Sequence, residues 1–218
     1  MVNNVSMAKA KTVLSVDNLV KRYGDHTIVD KFSLTISEGE AVALTGRNGA
    51  GKSTILRCIV GADRPTEGSV EVLGMKVAET NPEIRRNVAT VIDDLDFFPD
   101  LSVVEHLDLL ARAHGLDDVD ALVDEVLEEV QLVPQSGQLP GTLSSGQRRR
   151  LALATALVRP RKLLVLDEPE QRLDVEGVAW LGKRLAVEKQ NGLAILMASH
   201  EPALVEALNA SVVEVGTR

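Results

Sequence analysis

An α/β fold with a mainly parallel central sheet, an antiparallel β layer ahead of it and an inserted all-helical subdomain is predicted by three observations. Ala41–Leu44, Val88–Ile92, Leu163–Leu166 and Leu193–Met197 are continuous apolar runs, the pattern of strands buried on both faces. Thr12–Val20, Thr27–Ile36 and Gly68–Leu73 are short β-rich runs punctuated by Tyr23-Gly24-Asp25 and by Gly74, as expected of an antiparallel layer. Between about 94 and 157, Val103, Val104, Leu107 and Leu110, then Leu122, Val126, Leu127 and Val130, recur at helical spacing. With 218 residues, 44 % of them hydrophobic, the chain suffices for one large domain. That domain is read as 12–218, with its core in 12–93 and 158–218, the helical insert in about 94–157, and 1–11 as a disordered lead in which Met7 is an alternative start.

Composition narrows the function. A net charge of -8 and a pI near 5.1 argue against nucleic acid as the main partner, because phosphate backbones need clustered Lys and Arg. No apolar run approaches the roughly 18 to 20 residues that cross a bilayer, and no signal-like core follows Met1, so a cytoplasmic protein is expected. Cys58, the one cysteine, lies among Ile55, Leu56, Ile59 and Val60 and is read as core packing. The acidic run from Asp117 to Glu129 is read as a solvated helix face.

The most telling segment is Gly46-Arg47-Asn48-Gly49-Ala50-Gly51-Lys52-Ser53-Thr54, between an apolar strand and a helix-like stretch running from Thr54 to Val60. Its Gly-x4-Gly-Lys-Ser spacing is that of a phosphate-binding loop. The glycines let backbone N–H groups approach phosphate oxygens, and the following helix adds unsatisfied donors and its dipole. Lys52 reaches the terminal phosphates as a point charge, the Ser53 hydroxyl ligates magnesium, and Thr54 donates to a more interior phosphate.

A second motif, Leu163-Leu-Val-Leu-Asp167-Glu168-Pro169, ends a buried strand in two carboxylates, where open α/β sheets place ligands. Asp167 is assigned to magnesium through water, and Glu168 to the water that attacks the γ-phosphate. A third, Leu143-Ser144-Ser145-Gly146-Gln147, leads into the helix-like Leu151–Leu157 and presents a further anion-binding surface.

These ordered motifs resemble the nucleotide-binding subunit of ATP-binding-cassette (ABC) transporters, P-loop NTPases whose LSGGQ signature stands here as LSSGQ. The resemblance runs from about Val13 to Val215. It implies ATP and Mg2+ as cofactors and a head-to-tail dimer, a homodimer in the simplest case, in which Ser144, Gly146 and Gln147 of one subunit close over ATP on the other's phosphate loop. It further implies that Tyr23 stacks on adenine, that His200 contacts the γ-phosphate, and that Asp174 lies in the loop crossing the dimer interface. The chemical centre is then Lys52, Ser53, Asp167, Glu168 and His200.

Two departures from the family pattern matter. The glutamine usual at the end of the strand entering the insert is absent from Val91-Ile92-Asp93-Asp94; Asp93 is the expected occupant and metal-side residue, with Asp94 next to it. An ionised carboxylate cannot donate a hydrogen bond, so slow or differently coupled turnover is expected. Glu170-Gln171-Arg172 also replaces the small polar residues usual after Pro169. The function expected is ATP hydrolysis powering a separate transmembrane permease subunit at the inner face of the membrane. The alternative is a soluble cassette that regulates a protein complex. Phe97, Phe98 and Leu101 are either permease contacts or the insert's own core.

Overall fold

The structure is a computed structural model that describes residues 11–78, 80–92 and 96–216. Thr12–Tyr23 (β1) and His26–Ser37 (β2) form a long hairpin closed by Gly24-Asp25, with Tyr23 opposite His26. Glu67–Val72 (β4) and Met75–Lys76 (β5) complete an antiparallel sheet of order β2-β1-β4-β5. The second sheet has order β6-β7-β8-β3-β9 and every pairing in it is parallel. Its strands are Ala41–Thr45 (β3), Val88–Val91 (β6), Leu163–Asp167 (β7), Ala194–Ala198 (β8) and Ser211–Glu214 (β9). Parallel neighbours need crossovers, which helices supply. Lys52–Val60 (α1), Pro82–Asn87 (α2), Val103–Ala113 (α3), Asp120–Glu129 (α4), Ser145–Leu157 (α5), Val175–Gln190 (α6) and Pro202–Ala207 (α7) fill that role or build the insert.

Burial follows the apolar runs. Between the two sheets, Leu14, Leu19 and Ile36 pack with Leu44, Val165 and Leu196 around Ile55, Leu56 and Ile59 of α1. On the far face of the parallel sheet, Ala43, Leu166 and Ile195 meet Leu153 of α5 and Leu181 and Leu185 of α6. A third cluster joins Val103 and Leu107 to Val123, Val126 and Leu127, and to Leu151, Ala154 and Leu157. Helix α5 therefore serves both insert and core, burying Ala152, Leu153 and Ala156 on the sheet and Leu151 and Ala154 against α3 and α4. Most of the acidic run stays solvated, with Asp117, Asp118, Asp120, Asp124, Glu125 and Glu128 exposed, while Glu129 pairs with Arg184 at 2.8 Å.

Helix α1 begins at Lys52, two residues before the expected start, because Gly51 in the left-handed region caps it. Cys58 is buried on this helix, and burial pushes its thiol up to about 11. At pH 8 only about 0.1 % of such a thiol is thiolate. A disulfide-exchange reagent should therefore leave the native protein unlabelled and modify Cys58 once denaturant is added, whereas rapid native labelling would contradict this packing.

A candidate nucleotide site at the carboxyl ends of the parallel strands

Strands β3, β8 and β7 lie side by side, with Leu44 and Asp167 both registered on Ala198. The loops that follow them emerge together at the carboxyl edge of the sheet, where such sheets bind ligands. In the first loop, Gly46, Gly49 and Gly51 have φ of 135°, 81° and 100°, conformations that disfavour side chains. At Gly46 a Cβ would also lie 2.4 Å from the carbonyl oxygen of Val215, the residue after β9, so the backbone there requires glycine. Helix α1 carries no side-chain cap, and its first intrahelical acceptor, the Gly51 carbonyl, takes Ile55 N at 2.9 Å. The N–H groups of its first turn thus remain for a ligand.

Lys52 is only 6 % exposed. Its Nζ donates to the Gly46 carbonyl at 2.7 Å and the Arg47 carbonyl at 3.3 Å, and it makes no ion pair among the described residues. Above the loop is a cavity of about 280 Å³ walled by Ile28, Asn48, Gly49, Gly51, Lys52, Ser53, Thr54 and Glu168. Its volume is below the ~300–1,000 Å³ of pockets that engulf a drug-sized ligand, a size suited to a phosphate tail rather than to a whole nucleotide. Arg47 is exposed beside it, and Ala50 packs against the core beneath.

The acidic turn after β7 is held by Arg149, which sequence reading passed over in the run Arg148-Arg149-Arg150. The buried Arg149 guanidinium donates to the carbonyls of Asp167 (2.8 Å), Glu168 (2.6 Å) and Pro169 (3.2 Å). That clamp supports Glu168 in the left-handed region at φ 43°, while Glu168 N donates to Ala198 O at 2.8 Å. Gln171 Nε2 donates to the Glu168 carboxylate. Removing the clamp strands buried carbonyls that each cost about 1–3 kcal/mol when unpaired. Arg149→Ala should therefore lose about 3 kcal/mol of stability and lower Tm by roughly 6–12 °C, checked by calorimetry.

His200 follows β8 and is exposed. Its neighbour Ser199 is fully buried, donating to Glu170 Oε1 at 2.9 Å and accepting from Glu201 N at 3.1 Å. Glu170, one of the unusual residues after Pro169, thereby ties the acidic turn to the turn that carries His200.

Tyr23 stands apart from the cavity walls, 49 % exposed at the end of β1. Its hydroxyl donates to Asp63, and Lys21 Nζ sits 4.7 Å from its ring centroid. The hydrogen bond to Asp63 is the main reason the Tyr23 phenol is pushed up, and the Lys21 ammonium, donating at 2.5 Å, is the first cause holding the Asp63 carboxyl low.

The Ser/Gly segment lies elsewhere on the surface. Ser144 is exposed and caps α5 reciprocally with Gln147: Ser144 Oγ accepts from Gln147 N at 3.2 Å, and Gln147 Oε1 accepts from Ser144 N at 2.9 Å. A Cβ on Gly146 would sit 3.0 Å from the Arg172 carbonyl oxygen. Asp174 caps α6, accepting from Gly177 N at 2.8 Å, and pairs with Arg150 at 3.2 Å. Phe97 packs between the core and the insert, whereas Phe98 is 57 % exposed; Leu101 is partly buried. Asp93 and Asp94 lie outside the described residues.

No set of three or more His, Cys, Asp or Glu among the described residues is arranged to hold a metal. A nucleotide-bound magnesium ion fits this donor set, since it keeps waters and phosphate oxygens as most of its ligands and needs only one or two from protein. Ser53 at the cavity wall and Asp167 at the end of β7 are of the right type.

The profile of a family described as "ABC transporter" matches residues 29–171. The chain is 36 % identical over 204 residues to the spermidine/putrescine import ATP-binding protein PotA of Pseudomonas aeruginosa, covering 90 % of this chain and 55 % of that protein. It thus spans about half the length of that relative. Over 190 residues it is 36 % identical to the SkfA peptide export ATP-binding protein SkfE of Bacillus subtilis, covering 86 % of this chain and 79 % of SkfE. A solved ATP-binding subunit of an ABC transporter superposes with a TM-score of 0.86 at 30 % identity, covering 94 % of this chain and 86 % of that one. Among the described residues no helix is long and apolar enough to cross a membrane. A phosphate loop, an acidic strand end and a capped Ser/Gly helix start, on one chain and in this order, agree with those matches: the chain belongs to the ABC transporter family.

Proposed function

We propose that this chain is the ATP-binding and ATP-hydrolysing subunit of a transporter, driving a separate membrane subunit through ATP-dependent closure of a cassette dimer. The observation that carries the reading is Lys52: a buried cation hydrogen-bonded to two carbonyls, and ion-paired to no carboxylate among the described residues, is a site suited to an anion. Lys52 and the first-turn N–H groups of α1 bind the phosphate tail, and Ser53 and Asp167 hold the magnesium that neutralises it. Glu168, facing the same cavity, accepts a proton from the attacking water, and His200 contacts the γ-phosphate from the end of β8. Tyr23 stacks on adenine outside the phosphate cavity.

The exposed Ser144, with Gly146 and Gln147, closes over nucleotide on the other subunit, and Asp174 lies along the same interface. Exposed Phe98 is the stronger candidate for contact with the membrane subunit, since Phe97 is spent on internal packing. Docking there would put the chain on the inner face of the membrane.

Phosphate release from ATP without any added acceptor tests the reading, and a preparation that binds ATP yet shows no magnesium-dependent release would refute the hydrolytic half. Within that assay, Asp93→Ala should weaken the magnesium dependence and slow hydrolysis; unchanged rate and dependence would remove Asp93 from the metal side.

A further inference from the structure

Away from the phosphate loop, toward the amino end of β6, a cavity of about 260 Å³ opens between the end of α1, α2, the end of α3 and the segment after α5. Nitrogen donors from three separate parts of the chain line it: the guanidinium of Arg85 on α2, the imidazole of His114 at the end of α3, and the guanidinium of Arg159 after α5. Arg86 is not part of the lining but lies near enough for its charge to act on His114, its Nη2 4.0 Å from where a Cβ on Gly115 would be. Among the described residues Arg85, Arg86 and Arg159 form no ion pair, although acidic residues outnumber basic ones, 32 to 24. Arg159 Nη2 donates to the carbonyls of Arg85 and Val88, both at 2.5 Å, while its Nε is buried without a partner.

Guanidinium cations that share one cavity without a counter-charge repel each other, and an anion between them relieves that repulsion. The other walls decide which anion. Val60, Ala62, Ile84 and Val88 are apolar, Thr90 being the one other polar wall, and the volume exceeds that of a bare oxyanion, whose hydration such walls would not replace. We propose that this cavity binds a carboxylate carried on a short aliphatic stem, with the charge at Arg85, Arg159 and His114 and the stem on the apolar wall. A free small organic acid and a glutamate side chain of a bound polypeptide share this chemistry.

His114 supplies the readout. Burial first, then the charges of Arg159, Arg86 and Arg85, hold its imidazole below the usual range. A bound carboxylate reverses that balance. In the nucleotide-free full chain, the ring resonances of His114 are followed against pH by NMR, with butyrate as the free-acid probe and N-acetyl-glutamate methylamide as the side-chain probe. The His114 midpoint should rise by about one pH unit at saturation, while His200 does not move. The tighter-binding probe identifies the source. Arg85→Ala should abolish the rise without changing the melting curve, since Arg85 is exposed and its side chain makes no hydrogen bond or ion pair among the described residues. A midpoint unmoved by both probes, a rise that survives in Arg85→Ala, or an equal rise at His200 would overturn the proposal.

Discussion

Glu168→Gln is expected to slow ATP hydrolysis about a hundredfold to ten-thousandfold, the range lost with a positioned general base, while leaving ATP affinity intact. The side chain lines the phosphate cavity, and its backbone is fixed by Arg149 and by Glu168 N on Ala198 O, so an isosteric amide keeps the geometry and loses only the basicity. Hydrolysis is the step that separates the proposed dimer, and the variant should therefore accumulate as an ATP-dependent dimer. Size-exclusion chromatography with saturating ATP reads this directly. A variant that elutes only as monomer there argues against the clamp, and one that hydrolyses ATP at the parental rate argues against Glu168 as base.

Lys52→Ala should fail one step earlier. Charge-assisted hydrogen bonds contribute about 1.5–3 kcal/mol each, and two to the phosphate tail set a loss of roughly a hundredfold or more in ATP affinity. Without nucleotide the ammonium is hydrogen-bonded, among the described residues, to the Gly46 and Arg47 carbonyls. The melting temperature of the free protein should consequently move little, while the rise that ATP gives the parent disappears. Binding of a fluorescent nucleotide and a melt with and without ATP are the measurements; parental affinity in the variant would mean the loop holds phosphate without this side chain. Together the two substitutions separate capture from turnover.

What the sequence made legible was local. Strands β3, β7 and β8 are buried on both faces, and their unbroken apolar runs announce them; the glycine spacing before α1 is a backbone requirement written in residue type. Strand β9 is four residues long and largely exposed, so no apolar run marks it. Helix α2 spans six residues, signalled only by Asn81 accepting from Glu83 N and by Pro82 at its first turn. Arg149 was hidden for a different reason. Three consecutive arginines look alike in sequence, but on a helix they point about 100° apart. Arg148 reaches over Phe97, Arg149 turns inward to the acidic turn, and Arg150 meets Asp174. Tyr23 shows the same limit, since its partner Asp63 is 40 residues away. Long-range partners of this kind, including the convergence of Arg85, His114 and Arg159, exist only once the chain is folded.

For the proposed dimer, the reciprocal bonding of Ser144 and Gln147 bears on how fast the clamp would shut. A turn that holds its own shape in a solitary protomer has no ordering entropy left to surrender when a mate arrives. Encounter geometry and charge neutralisation, rather than loop refolding, then govern the approach, and engagement should follow simple second-order kinetics without a slow conformational phase.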